Sequence, residues 1–144
     1  LCFAYMMVED KAKEAAKCAD PLVAKNKEDV EAWAMRAEAH DLLAAQQPTS
    51  AAPKAGIEAY EQVAKLLEGG DGAKRVASPQ MWNNLGTLRG LHGDPDGARE
   101  AYTRGIELAE TRLGGGSAGP EEAKDLQVAR LTMRFNRAWL SESL

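Results

Sequence analysis

Two histidines, two cysteines and one glycine-lysine run are the residues in this chain whose types touch on reaction chemistry, and their spacing completes no reactive set. Gly69 to Lys74 places glycines near a lysine but lacks G-x-x-x-x-G-K-[ST], and it follows a helical pattern rather than a strand, so it does not read as a phosphate cradle. Cys2 and Cys18 are too few and too far apart for a metal site, and neither has a histidine beside it. They read as unpaired thiols, which fits a reducing compartment. His40 and His92 fall near the ends of helical segments, where a solvated or capping imidazole is ordinary, and no cysteine or serine is placed to act as their nucleophile. Glu58 and Glu100 recur because helices favour glutamate. The expectation is a chain without catalytic residues, cofactor, metal or small-molecule substrate.

Charge excludes further classes. The net charge of -4 does not favour nucleic-acid phosphates, and no stretch approaches the roughly 20 apolar residues of a membrane span. The one basic feature is local: Arg130, Arg134 and Arg137 recur at i, i+4, i+7 on a long helix, opposite a stripe that includes Leu131, Phe135 and Ala138. These arginines could grip an acidic partner segment, although a solvated face is the ordinary reading of such a run.

The elements that must position these residues are helices. The chain is rich in Ala, Glu, Lys and Leu and poor in β-branched and aromatic residues. Ser78-Pro79 and Asp94-Pro95 each set a capping side chain before a proline suited to a first helical turn. Gly69-Gly70-Asp71-Gly72 and Gly114-Gly115-Gly116-Ser117 read as linkers, and Gly119-Pro120-Glu121-Glu122 launches a helix that runs to the end.

Within that frame, Pro79 to Glu110 is similar to one tetratricopeptide repeat. Trp82, Leu85 and Gly86 keep its W-x2-L-G spacing, and Ala98, Tyr102 and Gly105 keep the small-aromatic-small face of the second helix. Trp82 and Leu85 are expected to fill the gap between the helices, with Gly86 and Ala98 small where the backbones approach. Arg89 stands where an aromatic is usual. A second copy lies upstream: residues 55–63 align without gaps on 97–105, sharing Glu-Ala-Tyr, and Trp33 and Ala37 take the places of Trp82 and Gly86, with Arg36 replacing leucine. The longer interval from Trp33 to Tyr60 predicts a loop insertion at residues 44–50.

The fold expected is therefore all-α, a tetratricopeptide-repeat α-solenoid of antiparallel helix pairs and a fragment of a longer array. Residues 1–25 would end a preceding repeat, 28–68 form a repeat with an insertion, and 78–112 form the best-matching repeat. Residues 113–120 would be a glycine-rich linker and 120–144 the first helix of a following repeat, whose apolar face would need flanking sequence to cover it. First helices line the concave wall of such an array, which nominates Glu31, Ala34, Glu38 and Asp41 in one repeat and Gln80, Asn83 and Thr87 in the next as partner-binding residues. A common subclass clamps the C-terminal carboxylates of heat-shock chaperones. Asn84 could match one clamp asparagine, but Glu38 and Ala34 stand where another asparagine and a lysine would be, so that role is disfavoured.

The order of motifs resembles one family more closely. Glu28-Asp29-Val30-Glu31-Ala32-Trp33, then Tyr60, then Met81-Trp82-Asn83-Asn84-Leu85-Gly86, then Phe135-Asn136-Arg137-Ala138 is similar to the middle of the tetratricopeptide scaffold subunits of the PAF transcription-elongation complex. The resemblance implies a nuclear, non-catalytic platform that organises PAF subunits on RNA polymerase II and supports elongation and co-transcriptional histone modification. Arg137 departs from the usual leucine. The alternatives are a generic tetratricopeptide adaptor in a transport, ciliary or RNA-processing assembly, in the cytoplasm, or a helical module regulating an enzyme encoded elsewhere in the same chain.

Overall fold

Helix starts are written locally, in side chains that satisfy the first free backbone N–H groups. The Asp29 carboxylate accepts from Ala32 N at 3.1 Å, the Ser78 hydroxyl from Met81 N at 3.2 Å and the Asp94 carboxylate from Gly97 N at 2.9 Å. Pro79 and Pro95 follow two of these caps, as expected. The computed structural model describes residues 2–67 and 78–143. Among them are seven α-helices and no strand: α1 (Cys2–Met6), α2 (Ala12–Lys25), α3 (Val30–Gln46), α4 (Ala52–Leu67), α5 (Pro79–Leu91), α6 (Pro95–Gly114) and α7 (Pro120–Ser143). They fall into two compact units, Leu1–Ala77 and Ser78–Leu144.

In the first unit, alanines decide how closely helices approach. Ala15, Ala16 and Ala19 of α2 and Ala39 of α3 form a buried cluster, flanked by Tyr5 and Met6 of α1 and by Met35 and Leu43. With only a methyl at each contact, the helices meet near backbone distance. Helix α4 then packs on α3 through Ala59, Tyr60 and Val63, all buried. The predicted loop over residues 44–50 is corrected: α3 continues to Gln46, Ala44 is buried, and only 47–51 connect to α4. Most of the extra length relative to α5 is helix, 17 residues against 13.

In the second unit, α5 and α6 are joined by three residues. His92 ends α5, Gly93 takes the left-handed conformation (φ 81°), and Asp94 both donates its N–H to Arg89 O at 2.9 Å and caps α6. That arrangement satisfies the last carbonyls of α5 and reverses the chain. The pairing is antiparallel, since Trp82, Gly86 and Gly90 face Gly105, Tyr102 and Ala98 in turn. Arg89, in place of an aromatic, donates from Nη1 to Gly97 O at 3.1 Å. Helix α7 lies on α6, where Met133 completes a buried cluster with Ala98, Tyr102 and Ile106.

The tryptophans depart from expectation. Trp82 is half-buried rather than enclosed, with the Arg104 guanidinium 5.5 Å from its ring centroid. Trp33 stands in the same way beneath Arg36, also at 5.5 Å, and donates Nε1–H to Lys27 O at 2.8 Å. An indole with a polar edge accepts a position at the core margin, where a cation can cover its face. The space between helices is filled instead by Leu85, Tyr60 and Tyr102.

Candidate functional site

The nominated residues of α3 divide. Glu31 is exposed and lines a depression of about 570 Å³ formed with Leu22, Lys25 and Asn26 at the turn from α2. Ala34 is half-buried and Glu38 is exposed. Asp41 is corrected: it does not stand on a free wall but is half-buried, with its carboxylate accepting the Tyr60 hydroxyl at 3.1 Å. One turn separates Glu38 from Asp41, and their environment raises both. Lost hydration pushes the Glu38 carboxyl up. Burial likewise pushes Asp41 up, the Tyr60 hydrogen bond opposes it, and the Glu38 charge adds to the rise.

The folded chain therefore retains protons on this pair at pH values where the unfolded chain has released them. The two carboxylates cost stability at neutral pH, and the cost fades as pH falls into the ordinary carboxylate range. Glu38→Gln is expected to raise the Tm at neutral pH, with a gain that shrinks toward about pH 4. A Tm unchanged at neutral pH would show that Glu38 keeps its hydration and does not weigh on Asp41.

On α5 the nominated residues are engaged with neighbours in their own unit. Gln80 is exposed and its side-chain amide donates to Asn84 Oδ1 at 3.0 Å, which takes up the residue nearest a chaperone-clamp asparagine. Asn83 is half-buried, and its Oδ1 accepts from Asn136 Nδ2 of α7 at 3.1 Å. Thr87 is exposed; its hydroxyl donates to Asn83 O at 2.9 Å and lies 3.1 Å from the Tyr102 hydroxyl. Burial pushes the Tyr102 phenol up, with the Thr87 contact opposing. Thr87, Tyr102 and Asn136 form the polar side of a shallow depression of about 460 Å³ whose apolar side is Leu91, Trp139 and Leu140.

The basic stripe of α7 is the largest correction. Arg134 pairs with Glu110 of α6, Arg137 Nη1 donates to Thr103 Oγ1 at 3.1 Å, and Arg130 is half-buried. Arg134 and Arg137 thus face α6 instead of solvent, and the apolar stripe opposite them is open: Val128, Leu131, Phe135 and Trp139 are 57%, 60%, 70% and 61% exposed, and Ala138 is exposed with them. Leu126 and Met133 take the buried face. Arginine stems are long and apolar, so they cover α6 while their heads reach its carboxylate and hydroxyl.

Sequence reasoning missed a polar cluster in the first unit. Asp20 Oδ1 accepts from Arg36 Nε at 2.9 Å and lies 2.9 Å from His40 Nε2. Burial opposes ionisation of Asp20, but the hydrogen bonds and charges of His40 and Arg36 outweigh it and hold the carboxyl low. The resulting stability is fully present above the pKa of an unfolded aspartate and is lost as pH falls from there through the lowered pKa of the folded chain. His40 is accordingly not a solvated terminal imidazole; it is 9% exposed, within α3. His92 does sit at a helix end, exposed. The i, i+4 spacing of Arg36 and His40 was the available signal, but only the α2–α3 contact supplies their partner.

Cys2 and Cys18, read as unpaired, form a disulfide with their Cα atoms 5.4 Å apart. They stand 16 positions apart in sequence, yet a turn after α1 folds it back onto α2. Among the described residues, no group of three His, Cys, Asp or Glu is placed to hold a metal ion, and no helix is long and apolar enough to cross a membrane. The Gly69–Lys74 run lies outside the described residues. No family model, curated protein or solved structure matches the chain.

Proposed function

We propose that this chain is a non-catalytic scaffold for protein–protein interaction, built from tetratricopeptide-like helix pairs. The observation that supports the reading best is the apolar stripe of α7, where four large side chains recur at i, i+3, i+7 and i+11 and stand more than half exposed. Monomeric surfaces scatter such residues singly, and a continuous stripe along one helix is the mark of a face that a further helix of a repeat array or another protein covers. Glu31 and Glu38, exposed on α3, add an acidic contact region in the other unit. On the resemblance of its motif order, the assembly is the PAF complex on RNA polymerase II, and the site of action is the nucleus.

The test is affinity purification of the tagged protein at endogenous level, with mass spectrometry of what accompanies it. PAF subunits and RNA polymerase II are the expected partners; recovery of a different assembly would discard the transcriptional role and keep the scaffold. Phe135→Glu with Leu131→Glu is expected to reduce partner recovery at least tenfold while leaving the melting transition in place, because neither side chain is part of the buried cluster. Undiminished recovery would move the contact to the acidic region of α3, which Glu31→Lys with Glu38→Lys then probes.

A further inference from the structure

We propose that the Cys2–Cys18 disulfide is a redox-operated latch that holds α1 against the α2–α3 face. This goes beyond the scaffold reading and does not depend on it. Helix α1 has five residues, far below the length at which an isolated helix persists in water. Among its described side chains, Tyr5 and Met6 also hold it, by contact with Ala15, Ala16, Ala19 and Ala39. Alanine methyls give little area for two large side chains to grip. The segment that follows adds little, since Met7 and Val8 are 73% and 48% exposed. By contrast α2, α3 and α4 are long, pack on one another, and keep the Asp20–Arg36–His40 cluster and the Tyr60–Asp41 bond without help from α1. The disulfide therefore ties the shortest α-helix of the unit to the longer helices beside it.

The two sulfurs differ in access. Cys2 is 8% exposed, whereas Cys18 is half-buried. An external thiolate attacks the Cys18 sulfur and breaks the S–S bond; Cys2 leaves as a thiolate and takes up a proton. A second thiol, or the other arm of a dithiol reductant, displaces Cys18 and leaves as oxidised disulfide. Two protein thiols result for two electrons supplied by the reductant. With the bond open, α1 leaves and uncovers the small-residue face of α2 and α3. A thiol-rich compartment holds the latch open and an oxidising one closes it.

The test is amide hydrogen exchange of the whole chain, oxidised and after complete reduction by dithiothreitol, with the thiol state read by intact mass. The Cys2→Ser/Cys18→Ser variant is measured in parallel. Reduction is expected to remove the protection of α1 by about tenfold or more while α2, α3 and α4 keep theirs. The variant should match the reduced protein and ignore the reductant. Unchanged α1 protection after complete reduction would overturn the latch, as would loss of protection throughout α2–α4, which would make the bond a staple of the whole unit. Free thiols persisting in an oxidising glutathione buffer would overturn it as well.

Discussion

Truncating Tyr102 to alanine is expected to destabilise the Ser78–Leu144 unit by about 3–5 kcal/mol, the range for loss of a large enclosed aromatic. Tyr102 is 4% exposed and stands at the centre of the cluster that ties α6 to α7. Its ring also fills the space over Gly86, where an added methyl would meet ring carbons at 2.6 to 2.9 Å, so α5 depends on it too. On the side facing α5, Gly86 and Ala98 are too small to fill the hole, and only Ile106, Met133 and Leu140 on the other side can relax toward it. Tyr102→Phe keeps the ring and loses only the Thr87 contact, for a cost of about 0.5–1.5 kcal/mol. Urea unfolding followed by tryptophan fluorescence and helical circular dichroism measures both. A cost for Tyr102→Ala no larger than that for Tyr102→Phe would show that the ring is not a core element. Trp82→Ala should cost less than Tyr102→Ala, since the indole is half-buried and does not fill the gap between the helices as its place in the repeat pattern predicts.

Gly105→Leu is expected to destabilise the same unit by roughly 1–3 kcal/mol through overpacking. A Cβ at Gly105 would press on the Met133 sulfur from one side and lie 2.9 Å from Trp82 Cβ on the other. Met133 is flexible and can shift at modest cost. The Trp82 Cβ is fixed to the backbone of α5, so α5 and α6 must part to admit the side chain, and the leucine carbons beyond Cβ widen that gap. A melting transition equal to that of the native chain would mean that the two helices do not approach as closely as these distances require.

How much of this was legible in the sequence depends on whether a feature is local. The caps at Ser78 and Asp94, the prolines after them, the start of α7 and the all-helical class are set by residues within one turn of each other, and the structure places them where the spacing puts them. That Gly86 and Ala98 are small where α5 and α6 approach was legible, but not the pairing, in which Gly86 meets the Tyr102 ring and Ala98 meets Gly90. The length of α3 was not, since Ala44 and Ala45 suit a helix and a loop alike until a neighbour buries one of them.

Facing was the main thing that tertiary structure alone decided. Helix α7 carries two stripes at helical spacing, one through Leu126, Ala129, Met133 and Leu140 and one through Val128, Leu131 and Phe135. Periodicity shows that both exist and is silent on which turns inward. The contact with α6 settles it by offering Glu110 and Thr103 to Arg134 and Arg137, and the second stripe is left to solvent. Asp41, His40 and the two cysteines follow the same rule. Their partners Tyr60, Asp20 and each other lie 16 to 20 residues away in sequence and meet them only when the helices fold back. Where helices begin and which residues allow them to approach follow from residue order, because backbone capping and side-chain volume act within a few residues. Which faces meet, and so which charges are paired and which apolar residues remain open to a partner, was decided by tertiary contact, because burial is a property of neighbours brought together by the fold.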